Sequence, residues 1–203
     1  MKKSAKAKKP AKKKPSRKAS KSVKASPYYA QSKRLGFRLI EASDHALYSE
    51  LFTDAKTLEH FCAPLTAERA KQSFEKALTK SHQSPWVQRI SVVVERAKKK
   101  SLGIASIKMV DPENRIAEVG ILLKPSAHAQ RYATEASQAL ITSAFRRHTI
   151  TGISAHVAVG HKAGERLVAT LGYGKGAGLA ATDVCPERNV WSMQREKWAD
   201  TYK

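Results

Sequence analysis

Hydrophobic residues in this chain recur with two spacings, which predict two kinds of secondary structure. Alternating apolar residues, or short apolar runs rich in Val and Ile, are typical of β-strands, whereas apolar residues at every third or fourth position are typical of amphipathic helices. The strand pattern covers residues 34–42, 86–95, 102–110, 115–123, 151–159 and 188–197. The helical pattern covers residues 44–53, about 64–80, 132–148 and 162–171.

The order of these elements limits the fold class. The strands within residues 86–123 are separated only by short polar turns, which predicts an antiparallel meander. The later strands alternate with helices, which is typical of βαβ crossovers. The chain is therefore predicted to have an α+β, or mixed α/β, fold.

Charge divides the chain into two parts. Residues 1–34 contain 14 Lys and Arg residues and no Asp or Glu, and so carry two-thirds of the net charge of +21. The segment from Lys2 to Ser26 is built from Lys, Arg, Ala, Ser and Pro with a single Val, which is too little apolar surface to offset the entropy of folding. We therefore expect a disordered basic tail over residues 1–33 and one folded domain over residues 34–203.

A tail of this composition can neutralise phosphates without reading a nucleotide sequence. It favours contact with RNA, DNA or the ribosome, and the alternative is a solubilising extension with no dedicated partner. If the tail does bind such a partner, the protein would be associated with the ribosome or the nucleoid.

Cysteine spacing and the lengths of apolar runs bear on the cellular compartment. Cys62 and Cys185 are the only cysteines, and they form neither a CxxC pair nor a metal-ligand spacing. We therefore expect reduced thiols, no bound metal and a cytoplasmic protein. No apolar run reaches the roughly 18 residues of a membrane span, and no apolar segment follows the basic N-terminus as in a secretory signal.

Four stretches of the sequence resemble motifs of a known enzyme family over about residues 34–197. They are FRLIEASDHALYSELFTD, DPENRIAEVGILLKP, HAQRYATEASQALITSAF and HKAGERLVATLGY. In order and spacing they resemble the GNAT acetyltransferases, and most closely the RimJ/RimL type, which acetylates the N-termini of ribosomal proteins. The resemblance implies a GNAT fold, with a mostly antiparallel twisted sheet flanked by helices, and acetyl-CoA as co-substrate.

The resemblance also assigns residues that bind the co-substrate. The backbone of the strand at 116–123 would bind the pantetheine arm, and one of its amides, near Leu122 or Leu123, would polarise the thioester carbonyl. The loop before the helix at Tyr132 would bind the pyrophosphate through its N–H groups. The implied binding residues are Ile121, Leu122, Leu123, His128, Ala129, Gln130, Arg131, Tyr132 and Ala133.

Two motifs depart from the family pattern. Ala129 and Arg131 stand where the phosphate loop of the family has glycines, and we expect a negative φ at Arg131 that a side chain tolerates. His161 and Gly164 stand where the family has Asn and a Ser that protonates the departing thiolate. His161 is therefore a candidate general acid, with a helix cap or an ordinary loop histidine as the alternatives.

Glu118 is the candidate general base, because several family members place a glutamate at this point of the strand, facing the acceptor amine. The alternative is a carboxylate paired with a neighbouring cation on the sheet. The function implied is acetyl transfer to a primary amine of a protein N-terminus or lysine, or of a small molecule such as a polyamine or drug. The altered motifs keep two alternatives open: a degenerate binding protein that docks through its tail, and an acetyl-CoA sensor.

Overall fold

A computed structural model describes residues 26–147 and 149–202 of the chain. It contains eight strands and five α-helices in these ranges. The strands are β1 (Ala30–Gln31), β2 (Leu35–Leu39), β3 (Gln88–Glu95), β4 (Lys100–Asp111), β5 (Ile116–Leu123), β6 (Gly152–Ala158), β7 (Gly174–Leu179) and β8 (Arg188–Gln194). The helices are α1 (His45–Thr53), α2 (Ala67–His82), α3 (Tyr132–Arg147), α4 (Lys162–Thr170) and α5 (Arg195–Thr201).

The strands form one sheet in the order β1-β2-β3-β4-β5-β6-β8-β7. Every neighbouring pair is antiparallel except β5 and β6, which are parallel and are joined by the crossover helix α3. The predicted mixed α/β class and the mostly antiparallel sheet are therefore confirmed.

Helices cover both faces of the sheet. On one face, α1 and α2 pack on Ile90, Val92, Ile104 and Leu122. On the other face, α3 packs on residues that include Phe37, Val93 and Leu123. The C-terminal half of α3 joins α4, α5 and β6 in a further apolar cluster. Both faces carry apolar residues because successive side chains of a strand point to opposite faces of the sheet.

The predicted helices are present, and two of their ends have recognisable cap geometry. Thr66 is the N-cap of α2 and accepts a hydrogen bond from Arg69 N at 3.3 Å. Gly172 follows α4 with φ of +85°, the left-handed conformation that ends many helices. Asp44 precedes α1 but makes no cap bond, because its carboxylate is bound by Arg38 at 2.7 Å.

Three boundaries differ from the predictions. The folded part does not begin near Arg34, because Ala30 and Gln31 already pair with β2, so residues 26–33 do not belong to a disordered tail. The strand predicted over 188–197 ends at Gln194, where α5 begins. The sequence pattern missed β7, whose residues GKGAGL are exposed and mostly small, with no apolar alternation. Residues 1–25 of the predicted tail lie outside the described residues.

The prediction of reduced thiols is wrong for this structure, because Cys62 and Cys185 form a disulfide. The two residues are 123 positions apart, and only the fold brings together the α1–α2 segment and the β7–β8 loop that carry them. Within the described ranges, no helix combines the length and apolar character needed to cross a membrane.

Candidate functional site

A cleft opens in the middle of the sheet where β5 and β6 diverge. The two strands pair only from Ile116 to Glu118, opposite Gly152 to Ser154. Beyond Glu118 they separate, and a cavity of about 610 Å³ lies between the end of β5, the loop before α3 and the helix α4. The two strands therefore splay apart beyond Glu118.

The edge of β5 facing this gap offers backbone groups to a ligand. Lys124 N donates to Leu102 O of the neighbouring strand at 2.8 Å. Because alternate residues of a strand direct their backbone groups to opposite edges, those of Leu122 also face β4, and those of Ile121 and Leu123 face the gap. Leu122 thus lines the cleft only through its side chain, and His128 Nε2 lies 3.1 Å from Leu123 O.

The loop between β5 and α3 leaves a run of backbone amides without backbone acceptors. Ala127 N and His128 N are bonded within the loop, and the next amide with a backbone partner in the described ranges is that of Glu135, which donates to Arg131 O at 3.2 Å. The amides of residues 129–134 therefore have no backbone acceptor there. A helix N-terminus of this kind is suited to an anion.

Most of the residues predicted to bind the pyrophosphate line this cleft. They are His128, Ala129, Arg131, Tyr132 and Ala133. Gln130 is not among the lining residues, because its side chain turns back to donate to Ser126 O at 3.0 Å.

Two of the loop residues have a backbone conformation that favours glycine. Ala129 has φ of +58° and Arg131 has φ of +60°. The negative φ predicted for Arg131 is therefore wrong: the backbone has the shape that the family's glycines would allow, at a steric cost to both side chains.

A network on the outer side of α3 holds this loop. Glu135, in the first turn of the helix, accepts from Ser32 Oγ and Arg34 Nε at 2.6 Å each, and from Arg34 N at 2.8 Å. Arg34 also donates to Gln130 O at 3.1 Å and stacks 4.3 Å above the Tyr132 ring. Burial would raise the pKa of Glu135, but the bonds from Ser32 and Arg34 outweigh it and hold that pKa below its usual value.

His161 lies at the centre of the cleft, where α4 begins. It makes no helix-cap bond, and its ring is stacked on that of His60, with the centroids 4.0 Å apart. Burial, followed by the neighbouring His60, lowers the pKa of His161. A Cβ at Gly164 would lie 2.9 Å from Val157 Cγ1 and would overlap the His161 ring. The histidine thus fills the space into which a serine at position 164 would project.

Glu118 faces a smaller cavity that continues from the cleft. This cavity, of about 190 Å³, is lined by residues that include His156, His161, Tyr173 and Arg188. Glu118 Oε1 lies 3.8 Å from His156 Nδ1, and Lys108, its directly opposed neighbour on β4, makes no ion pair with it among the described residues. The Glu118 side chain keeps 34 % of its exposure and remains accessible to a second substrate.

A distant segment lines one side of this smaller cavity. The segment after α1 contributes His60, Phe61 and Cys62. It is tied to the β7–β8 loop by the disulfide and by Ala63 N donating to Val184 O at 2.6 Å. The sequence analysis did not identify His60, His156 and Arg188 as lining residues, because no local motif marks them.

Comparison with known proteins gives this cleft a context. A family model described as an acetyltransferase (GNAT) domain matches residues 34–174, more than half of the chain. No curated protein matches the sequence.

Solved structures with a similar fold include three acetyltransferases. One is a spermidine N-acetyltransferase from Vibrio cholerae in complex with CoA and spermine, at 18 % identity and a TM-score of 0.72, covering 83 % of this chain and 99 % of that one. RimL, a ribosomal L7/L12 α-N-protein acetyltransferase in complex with CoA, has 17 % identity and a TM-score of 0.70, covering 82 % and 97 %. A ribosomal-protein-S5-alanine acetyltransferase from Vibrio fischeri has 18 % identity and a TM-score of 0.68, covering 83 % and 97 %. At these identities the similarity establishes the fold.

Proposed function

This chain belongs to the GNAT acetyltransferase family, and we propose that it transfers an acetyl group from acetyl-CoA to a primary amine of a protein N-terminus or lysine. The observation that carries the proposal is the cleft between β5 and β6, which has an anion-binding loop at one end and a carboxylate at the other. The fold relatives bound to CoA support the choice of co-substrate.

The residues present fit acetyl-CoA. The amides of residues 129–134 suit its pyrophosphate, and the cations Lys56, Arg131 and Arg166 line the same cavity. The gap-facing backbone of Ile121 and Leu123 suits the pantetheine arm. An amide of either residue would stabilise the negative charge that develops on the thioester oxygen.

The reaction requires two proton movements, and the cleft has a group for each. The amine nitrogen attacks the thioester carbon, the carbon–sulfur bond breaks, and the products are an N-acetyl amide and CoA as its thiol. Glu118 takes the proton that the amine loses, directly or through water. His161, in its protonated form, donates a proton to the departing sulfur. Holding both substrates in one cleft supplies much of the remaining rate enhancement.

Titration calorimetry with acetyl-CoA, followed by an assay of thiol release with peptide and lysine substrates, tests the proposal. We expect micromolar binding and amine-dependent release of CoA. A chain that binds no acetyl-CoA overturns both the transferase and the sensor. Binding without turnover on any amine leaves the sensor.

Glu118→Gln tests the base assignment. We expect kcat to fall by about 10²-fold or more, with a smaller change in KM. Glu113→Gln, in the exposed β4–β5 turn, is the matched control and should retain the wild-type kcat. An unchanged kcat in Glu118→Gln means that another group takes the proton.

We further propose that the basic N-terminal segment binds RNA or DNA by charge alone. The supporting observation is the 14 cations and no anion in residues 1–34. Because β1 begins at Ala30, the test is a chain that starts at Ser26 and so leaves the sheet intact. We expect this truncation to abolish a salt-dependent gel shift of the full chain, and equal binding by the two chains would exclude the tail.

A further inference from the structure

Arg188, the first residue of β8, is a partly buried cation that the mechanism above does not use. Its Nε atom is buried and has no hydrogen-bond partner among the described residues. The same side chain lines the small cavity that contains Glu118. Buried donors in folded proteins are nearly always bonded, so an orphaned guanidinium N–H in a substrate cavity indicates a place for an acceptor oxygen.

The register of the strands places Arg188 and the candidate base, Glu118, on the same face of the sheet. Glu118 is opposite Ser154, and Arg188 is opposite Ala158 on the far side of the same strand, β6. Directly opposed residues share a face of the sheet, and so do residues two apart along a strand. Glu118, His156 and Arg188 therefore project from one face, with a carboxylate at one end and a guanidinium at the other.

The charges of this cavity disfavour an acceptor with several ammonium groups. Among the described residues that line it, Glu118 is the single carboxylate, facing one arginine and the three histidines His60, His156 and His161. A polyamine bound to Glu118 by one amine would bring its further ammonium groups near Arg188, where like charges repel. An acceptor with one amine and a nearby oxygen can bind Glu118 through the amine and Arg188 through the oxygen.

We propose that Arg188 determines acceptor specificity by binding a carbonyl oxygen next to the reacting amine, which makes a peptide N-terminus the preferred acceptor. The α-amine of a peptide is adjacent to its own carbonyl group, whereas a lysine amine is separated from its carbonyl by a long aliphatic chain. A cavity of about 190 Å³ also suits a small first residue. The inference rests on the proposed acetyl transfer and names its substrate class.

A matched set of acceptors tests this role at saturating acetyl-CoA. The peptide Ala-Gly-Gly amide carries the amine and the adjacent carbonyl, isopropylamine carries the same amine alone, and spermidine carries several amines. We expect the wild-type kcat/KM for the peptide to exceed that for isopropylamine by about 10- to 100-fold, the range for a hydrogen bond to a charged group. Spermidine should be the poorest substrate.

Substitution of Arg188 provides the second part of the test. Arg188→Met keeps the length of the side chain and removes its donors, so the preference for the peptide should disappear, chiefly through a higher KM for the peptide. Arg188→Lys should restore part of it. Arg146→Met, on the exposed end of α3, should keep the wild-type preference. Unchanged melting temperatures would establish that the variants are folded.

Each outcome separates this inference from the proposed function. Equal use of the peptide and isopropylamine, preference for spermidine, or a peptide preference that survives in Arg188→Met overturns the role of Arg188 while acetyl transfer stands. Stronger use of free alanine than of the peptide overturns the peptide N-terminus as the acceptor. If no amine is acetylated, calorimetry with the peptide decides: binding lost in Arg188→Met supports the inference, and no binding by the wild type overturns it.

Discussion

Ala129 and Arg131, in the loop before α3, show that backbone shape can persist when the residue that favours it is lost. Both have positive φ. For a residue with a Cβ this conformation costs about 1–2 kcal/mol, a cost that glycine does not have. The cleft geometry at this point therefore depends on the surrounding contacts and not on the local sequence.

We predict that Ala129→Gly and Arg131→Gly each raise the free energy of unfolding by about 0.5–1 kcal/mol. This value is the strain that is relieved in the left-handed conformation, minus the stability that is lost because glycine makes the unfolded chain more flexible. Chemical denaturation at one pH measures the change. Ala133→Gly, just inside α3, is the control and should lower stability by a similar amount. Destabilisation by all three substitutions would mean that the left-handed conformations do not exist in solution.

His161 carries a prediction about pH. Burial and the neighbouring His60 lower its pKa from the ordinary 6.5, so the unfolded chain binds this proton more readily than the folded chain. The stability that a neutral His161 contributes is complete above pH 6.5 and falls as pH decreases toward the lowered pKa. His161→Gln should therefore lose less stability than the wild type between pH 7 and 5.5.

Denaturation curves at several pH values measure this difference. Ser43→Ala, at an exposed position before α1 that does not titrate, is the control and should follow the wild-type pH dependence. Identical pH profiles for His161→Gln and the wild type would mean that the ring is not buried against His60 in solution.

At the scale of elements, the sequence predicted those parts whose signal is local. The helix α2 has both a 3.6-residue apolar period and a Thr cap, and its existence was predicted, with its start about three residues early. The strand β7 has neither an apolar period nor β-branched residues, because all of its side chains are exposed on an edge strand. The hydrogen bonds to β8 that define it come from tertiary structure, which no local pattern reports.

The N-terminal turn of α3 and the segment leading into β2 are joined through Glu135, and this contact supports the loop between them. We predict that Glu135→Ala lowers the free energy of unfolding by about 2 kcal/mol, since one largely buried carboxylate accepts three hydrogen bonds. Glu75→Ala, on the exposed face of α2, should change stability by less than about 0.5 kcal/mol.

Affinity for acetyl-CoA separates a role in the loop from a purely global effect. Because Arg34 also holds Gln130 O, loss of Glu135 should weaken acetyl-CoA binding even where the variant is fully folded. An affinity equal to that of the wild type would mean that the loop keeps its shape without this network.

At the scale of the whole molecule, the two ends of the site differ in how far sequence predicts them. The backbone groups of the co-substrate end come from one continuous stretch, β5 to α3, so a local resemblance assigned most of them. The acceptor end gathers residues from the α1–α2 segment, β5, β6 and β8. None of these segments has a motif that specifies its partners, so Arg188 and His156 emerge only when the strand register is known.

The disulfide between Cys62 and Cys185 gives the acceptor end a prediction of its own. The bond closes a loop of 123 positions, and the loss of unfolded-state entropy predicts that it stabilises the chain by about 3–5 kcal/mol. Cys62→Ser should therefore unfold at lower denaturant concentration than the oxidised wild type, and the two should converge once the wild type is reduced.

A thiol assay on the unreduced wild type should find no free cysteine, and two free thiols per chain would contradict the bond. Because the bond anchors the segment that contributes His60, Phe61 and Cys62 to the cavity beside Glu118, its reduction should raise the KM for the acceptor more than that for acetyl-CoA, whose loop before α3 is held by Arg34 and Glu135.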